Sequence, residues 1–128
     1  MNSIVLDASA LLAILNGEPG ADKLTPQLLS AATSSTVNLA EVHGKLVDRG
    51  LDPRDAWEAT LSPIRSAIVF TAQHAQTAGN LITQTRALGL SLGDRACLAL
   101  GLALKAPVYT ADKSWRNLKL GIQIHVIR

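Results

Sequence analysis

Four of the ten acids in this 128-residue chain stand where they could do chemistry together. Asp7 directly follows Ile4-Val5-Leu6, a short apolar run that predicts a buried strand. Asp112 stands one residue beyond Val108-Tyr109-Thr110, a second such run. In open parallel sheets, ligands bind in the crevice beyond the carboxyl ends of the strands, so an acid there is well placed to meet one. Asp94 opens the most apolar stretch of the chain, Arg95 to Leu104. That stretch predicts a buried helix whose dipole keeps an N-terminal carboxylate ionised. Glu41 lies one turn beyond Asn38 in an early turn of a helix predicted over Val37 to Arg49.

Each acid also has a plainer reading. Asp7 can cap the helix that follows, although Ser9 can serve there too. Asp94 can be an ordinary N-cap. Glu41 and Lys45 have the favoured i,i+4 order for a surface ion pair worth about 0.3–0.5 kcal/mol. Asp112 can be a turn residue in Thr110-Ala111-Asp112-Lys113. The set says more than its members. Two unit charges ~5 Å apart repel by about 3 kcal/mol at an effective dielectric of ~20. Several carboxylates in one crevice therefore need protons or a cation. An all-oxygen ligand set selects Mg²⁺ or Mn²⁺, and no His or Cys is placed to complete a zinc set.

Other chemistries find less support. His43, His74 and His125 are widely spaced and read as structural or exposed. Cys97, the one cysteine, sits in an apolar run as a small buried hydrophobe, and no internal disulfide is possible. Trp115 reads as packing. Gly17-Glu18-Pro19-Gly20 is a turn without the Lys-Ser/Thr of a phosphate-binding loop. A dinucleotide fingerprint and a Gly-x-Ser-x-Gly nucleophile elbow are both missing.

The elements that must position these acids alternate. Strands are predicted at Asn2–Leu6, Ala32–Thr36, Ala67–Phe70, Val108–Thr110 and Ile124–Ile127. Helices are predicted at Ser9–Leu15, Ala21–Leu29 (interrupted at Pro26), Val37–Arg49, Pro53–Leu61, Ala72–Leu88 and Asp94–Lys105. Asn16-Gly17, Gly50 and Gly89 are stop signals, and Asp52 is an N-cap before Pro53. Such alternation implies a parallel sheet covered by helices on both faces. The polar helices between the second and third strands could instead form a lobe.

Composition bounds the partners. A formal net charge of +2 and a pI near 9.0 are mildly basic, compatible with nucleic acid without demanding it. Aromatic residues are 3% of the chain, too few for a base-stacking platform, so phosphates are the expected handle. The N-terminal apolar run is interrupted by Asp7 and has no Lys or Arg before it, the wrong pattern for export. The longest apolar stretch, Ala96 to Leu104, is too short to span a bilayer. A cytoplasmic protein is expected.

Four segments carry a resemblance: Ile4-Val5-Leu6-Asp7-Ala8-Ser9-Ala10, Ser35-Thr36-Val37-Asn38-Leu39-Ala40-Glu41-Val42, Leu90-Ser91-Leu92-Gly93-Asp94-Arg95-Ala96-Cys97-Leu98-Ala99 and Thr110-Ala111-Asp112-Lys113. In this order and at these distances they resemble the PIN-domain proteins. More closely, they are similar to the VapC ribonuclease toxins of type II toxin–antitoxin pairs. The resemblance implies one PIN-like domain over residues 1–128, a three-layer α/β/α sandwich around about five parallel strands. It implies that Asp7, Glu41, Asp94 and Asp112 gather at the carboxyl edge of the sheet, supported by Ser9, Asn38 and Thr110. It further implies Mg²⁺-dependent RNA cleavage with Mn²⁺ as a substitute, a homodimer, and a VapB-like antitoxin that blocks the site.

Within that picture Asp7 and Asp94 are the expected direct metal ligands, with Glu41 and Asp112 completing the cluster directly or through water. Arg95, Lys113 and Arg116 are the expected phosphate contacts. The antitoxin is expected to lay an amphipathic segment on the first helix and on the helices between Val37 and Leu61, with a cation of its own entering the carboxylate cluster. Two other readings compete. A phosphoaspartate signalling or phosphatase domain would want a second acid beside Asp7, where Ala8 and Ser9 stand. A catalytically silent PIN-like interaction domain would not need four intact acids.

Overall fold

The computed structural model describes residues 2–128. Five parallel strands, β1 (Ile4–Leu6), β2 (Ala32–Ser35), β3 (Ser66–Ile68), β4 (Val108–Thr110) and β5 (Ile124–Val126), form one sheet in the order β3-β2-β1-β4-β5. Seven helices connect them: α1 (Ala8–Asn16), α2 (Pro26–Leu29), α3 (Thr36–Asp48), α4 (Pro53–Leu61), α5 (Ala72–Asn80), α6 (Ile82–Thr85) and α7 (Leu92–Leu104). The expected α/β/α sandwich is the observed fold.

The central strand shows how the layers arise. Side chains alternate along a strand, and β1 is apolar on both faces. Ile4 and Leu6 join a core with Leu11, Leu39, Val42, Leu46 and Ala56, from α1, α3 and α4. Val5 points the other way, into a core with Cys97, Leu98 and Leu100 of α7 and with Trp115. α3 is therefore sheet cover, while α4 packs on α3 and reaches the core through Ala56.

β2, Ala-Thr-Ser-Ser, is polar yet wholly buried. Its hydroxyls find partners on the neighbouring strand: Thr33 donates to the Ile4 carbonyl (3.1 Å) and Ser34 to the Leu6 carbonyl (2.8 Å). Buried polar groups are tolerated when satisfied in this way.

Three predicted helices differ from what forms. Ala21–Leu29 divides into a 3₁₀ turn at Ala21–Lys23 and α2, with Thr25 capping α2 and Pro26 in its first turn. Ala72–Leu88 is not one helix: it breaks into α5, the short α6 and a 3₁₀ turn at Arg86–Leu88. Gly79 and Asn80 are weak helix formers, Leu81 is drawn into the core, and the Thr85 hydroxyl bonds back to the Leu81 carbonyl (2.8 Å). The last apolar helix begins at Leu92, with Ser91 and not Asp94 as its N-cap. No helix among the described residues is long and apolar enough to cross a membrane.

Candidate functional site

Asp7 is the residue at which β1 becomes α1. Its carboxylate caps α1 by accepting from the Ala10 amide (2.8 Å), so the capping role falls to Asp7 and not to Ser9. Ser9 instead donates to both carboxylate oxygens (2.8 and 2.9 Å), and Thr110, at the end of β4, donates to Oδ2 (2.6 Å). The two hydroxyls also receive the amides that leave β4: Ala111 donates to Ser9 Oγ and Asp112 to Thr110 Oγ1. Asp7 is only 2% exposed. That burial pushes its carboxyl up to about 6, against hydrogen bonds from Thr110, Ala10 and Ser9 that pull it down, and the nearby Asp94 charge adds to the rise.

Asp94 occupies the third position of α7, in a reciprocal capping box. Its Oδ2 accepts from the Ser91 amide (2.9 Å) while Ser91 Oγ accepts from the Asp94 amide (3.2 Å). Glu41, on α3, is exposed. Its Oε1 accepts from Asn38 Nδ2 (3.0 Å), and the same buried amide donates to the Gly93 carbonyl (3.0 Å), tying α3 to the start of α7. Glycine at 93 leaves the room that the Glu41 carboxylate occupies against α7: a Cβ there would overlap it and push that flexible side chain aside. Asp112 is half-buried and caps the 3₁₀ turn Lys113–Asn117 through the Ser114 amide (2.9 Å).

All four acids line one open cleft of about 430 Å³ at the carboxyl edge of the sheet. None of them has an ion-pair partner among the described residues, where the salt bridge present joins Arg128 to Glu18. The surface pair of Glu41 with Lys45 does not form. Beneath the cleft lies the fully buried Cys97. Burial, then the charges of Asp7, Asp94 and Glu41, push its thiol well up, which rules out a thiolate nucleophile at neutral pH.

The cleft's donors are carboxylate oxygens, with Asp94 Oδ1, Glu41 Oε2 and Asp112 Oδ2 free of hydrogen bonds among the described residues. That chemistry suits a hard cation. The same described residues contain no group of three carboxylates, imidazoles or thiols already drawn together as a metal cage. Mg²⁺ does not require one, because it keeps several waters and is held through one or two carboxylates. The donor set therefore fits a hydrated Mg²⁺ and not a closed zinc site.

The cations differ from expectation. Arg95, Lys113 and Arg116 do not line the cleft. Arg95 instead donates to the Ala78 carbonyl (2.9 Å) and fastens α7 to α5. Lys45, Arg49 and Arg128 do line it, as does Glu18. Lys45 and Arg49 follow Glu41 at four-residue steps, so the helical stripe was visible in the sequence; nothing local marked Glu18 or Arg128. The histidines stay outside the cleft: His43 packs edge-on to Trp57, His74 lies against Phe70, and His125 stacks on Tyr109.

The family model of the PIN domain matches residues 4–120. Comparison with the curated proteins finds no match. Among solved structures, the chain is similar to VapBC2 of Rickettsia felis bound to a DNA fragment from its promoter (17% identity, TM-score 0.75, 98% of each chain covered). It is equally similar to DNA-bound VapBC of Salmonella typhimurium (17% identity, TM-score 0.75, all of each chain covered). VapC20 of Mycobacterium tuberculosis, a sarcin–ricin loop cleaving toxin, aligns at 19% identity and a TM-score of 0.71 over 94% of this chain and 99% of that one. At these identities the likeness is one of fold.

Proposed function

This chain belongs to the PIN domain family, and from that premise we propose that it is a Mg²⁺-dependent endoribonuclease, the toxin of a VapBC-type pair working in the cytoplasm. One observation carries the reading: carboxylates from four separate segments, at residues 7, 41, 94 and 112, line one cleft with no protein cation paired to them.

Asp7 and Asp94 would hold the ion, with Glu41 and Asp112 completing the cluster directly or through water, and Mn²⁺ would substitute. The bound ion supplies positive charge to a scissile phosphate oxygen and lowers the pKa of water. The protein's part is orientation. Asp7 is fixed by Ser9, Thr110 and the Ala10 amide, so its carboxylate needs no reordering when the substrate arrives. Asp94 is fixed by Ser91. Glu41 Oε2 and Asp112 Oδ2 are the oxygens free to take a proton from the water that attacks phosphorus in line.

The partner reading draws on the solved relatives, which include toxin–antitoxin complexes. Val47, Leu51 and Trp57 are exposed on the α3–α4 hairpin, a surface suited to an amphipathic helix of a VapB-like antitoxin. A homodimer completes the proposed assembly.

The test is direct. Purified protein freed of any partner is mixed with RNA and Mg²⁺ or Mn²⁺, alongside Asp7→Ala. Cleavage by the first and not the second is expected; equal cleavage by both refutes the assignment. In parallel, millimolar Mn²⁺ should raise the thermal midpoint of the wild type and not of Asp94→Asn, since binding to the native state alone stabilises it.

A further inference from the structure

The cleft is electrostatically two-ended. One end carries the four acids. The other is lined by Lys45, Arg49 and Arg128, with Glu18 the acid among them. These cations are organised. Arg49 donates to Asn16 Oδ1 (3.4 Å), Asn16 donates to Glu18 Oε2 (3.1 Å), and Arg128 donates to Glu18 Oε1 (2.9 Å). A belt of hydrogen bonds thus joins the end of α3, the end of α1, the following turn and the strand β5 region. The turn can seat there because Gly20, at φ +91°, has no Cβ to strike the Ile127 carbonyl. Hydrogen bonds from Asn16 and Arg128 hold Glu18 below the usual carboxylate range, so it is an anion at neutral pH.

This part of the cleft carries an excess of positive charge: Arg49 and Arg128 of the belt, with Lys45 beside them, against Glu18. Lys45 has no ion-pair partner among the described residues, and the single negative charge of the belt is taken up by Arg128. The helix also sets a spacing. Lys45 and Arg49 lie about 6 and about 12 Å along the α3 axis from Glu41, at ~1.5 Å per residue.

We propose that Lys45, Arg49 and Arg128 form a phosphate track for a single RNA strand, leading from the acidic end of the cleft along α3. The scissile phosphate lies at the acids and the phosphates on one side of it lie at the cations. The opposed charges fix which way the strand enters, because a phosphate placed among the four acids without a metal ion is repelled. Asn16 and Glu18 are positioning residues: they hold two guanidinium groups at the cleft wall, and Glu18 keeps Arg128 occupied until a phosphate competes for it. This proposal rests on the nuclease reading for its choice of ligand, but it stands on binding and not on cleavage.

The experiment therefore measures binding without catalysis. A fluorescent single-stranded oligoribonucleotide is titrated with the full chain in EDTA, at a series of NaCl concentrations. Each phosphate contact on a single strand contributes about 0.7 to the slope of log affinity against log salt. Lys45→Gln/Arg49→Gln should lower that slope by about 1.4 and weaken binding alike for unrelated sequences. Glu18→Gln removes the belt's negative charge and keeps one oxygen to accept from Arg128, giving up the acceptor that Asn16 uses, so it should bind more tightly than wild type. Lys105→Gln/Lys119→Gln, outside the cleft and without contact to the belt, should leave the slope unchanged.

An unchanged slope in Lys45→Gln/Arg49→Gln overturns the track. So does weaker binding by Glu18→Gln, which would mark the belt as merely structural, and so does a wild type that fails to bind at low salt. The outcomes separate from those of the nuclease test. A reduced slope with no cleavage in Mg²⁺ supports the track and sinks the nuclease. Cleavage by wild type with the slope and KM of Lys45→Gln/Arg49→Gln unaltered does the reverse.

Discussion

Replacing Asp7 by Asn should make the metal-free protein more stable at neutral pH. The folded state raises the Asp7 carboxyl from its ordinary 3.8 to about 6. Between those values the native state binds a proton that the unfolded chain does not, so stability falls as pH rises through this window. The favourable contribution is complete below about pH 4 and gone above about pH 6. At about 1.36 kcal/mol for each pH unit, a rise of that size puts the loss at about 3 kcal/mol. Asn carries no proton to lose. Its amide also fits the site: Oδ1 can accept from the Ala10 amide and Ser9, and Nδ2 can donate to Thr110 Oγ1, whose own proton then turns to Ser9 Oγ at 3.2 Å. The assay is urea unfolding in EDTA at steps from about pH 4 to pH 8, comparing wild type with Asp7→Asn. The other carboxylates titrate in both proteins, so the difference between the curves isolates Asp7. That difference should grow in favour of Asn by roughly 3 kcal/mol across the window. Parallel curves would refute the reasoning, since burial would then not be penalising the Asp7 charge.

Three further outcomes follow from the same geometry. Gly93→Ala should displace the Glu41 carboxylate and lower Mn²⁺ affinity several-fold, and adding Glu41→Asp, one methylene shorter, should recover part of the loss; calorimetric titration reads both, and additive losses would discredit the steric account. Ser91→Ala removes one half of the capping box on α7 and should cost about 1 kcal/mol in urea unfolding, with a null effect indicating that Asp94 alone suffices. Cys97 should resist a thiol-reactive dye in the folded protein and react fully once unfolded; rapid native labelling would contradict its burial.

The strand-end rule made Asp7 and Asp112 legible, because an acid placed directly after an apolar run can only emerge at the carboxyl edge of the sheet. Asp94 was legible as a helix-start acid, though one turn was misplaced: Ser91-Leu92-Gly93-Asp94 carries the capping-box spacing, and Ser91 is the cap. Glu41 is legible mostly through the family resemblance, with only its early place in the helix beside it. Its helical wheel pairs it with Lys45, and a wheel does not show that Asn38 pulls the carboxylate toward α7 instead. The cations are hidden for a related reason. Arg95 is next to Asp94 in sequence, but one residue along a helix turns a side chain by about 100°, and it serves α5 instead. The break after Asn80 was invisible because burial of Leu81 against distant residues, and not local propensity alone, ends α5.

The strand order governs when this protein can become itself. β1 lies at the centre of the sheet, yet one of its two neighbours, β4, comes about a hundred residues later. The amides of Val5 and Asp7 donate to the carbonyls of Pro107 and Tyr109, so neither can be protected from exchange until that segment has emerged and docked. The Thr110 hydroxyl that steadies Asp7 spans 103 residues of sequence. Closing so long a loop is entropically costly and slow, and it comes after the local helices have formed. During synthesis the first half of the chain therefore carries its acids unassembled, and the cleft is among the last features to exist. A chain interrupted before residue 108 holds Asp7, Glu41 and Asp94 but lacks the strand that brings the site together.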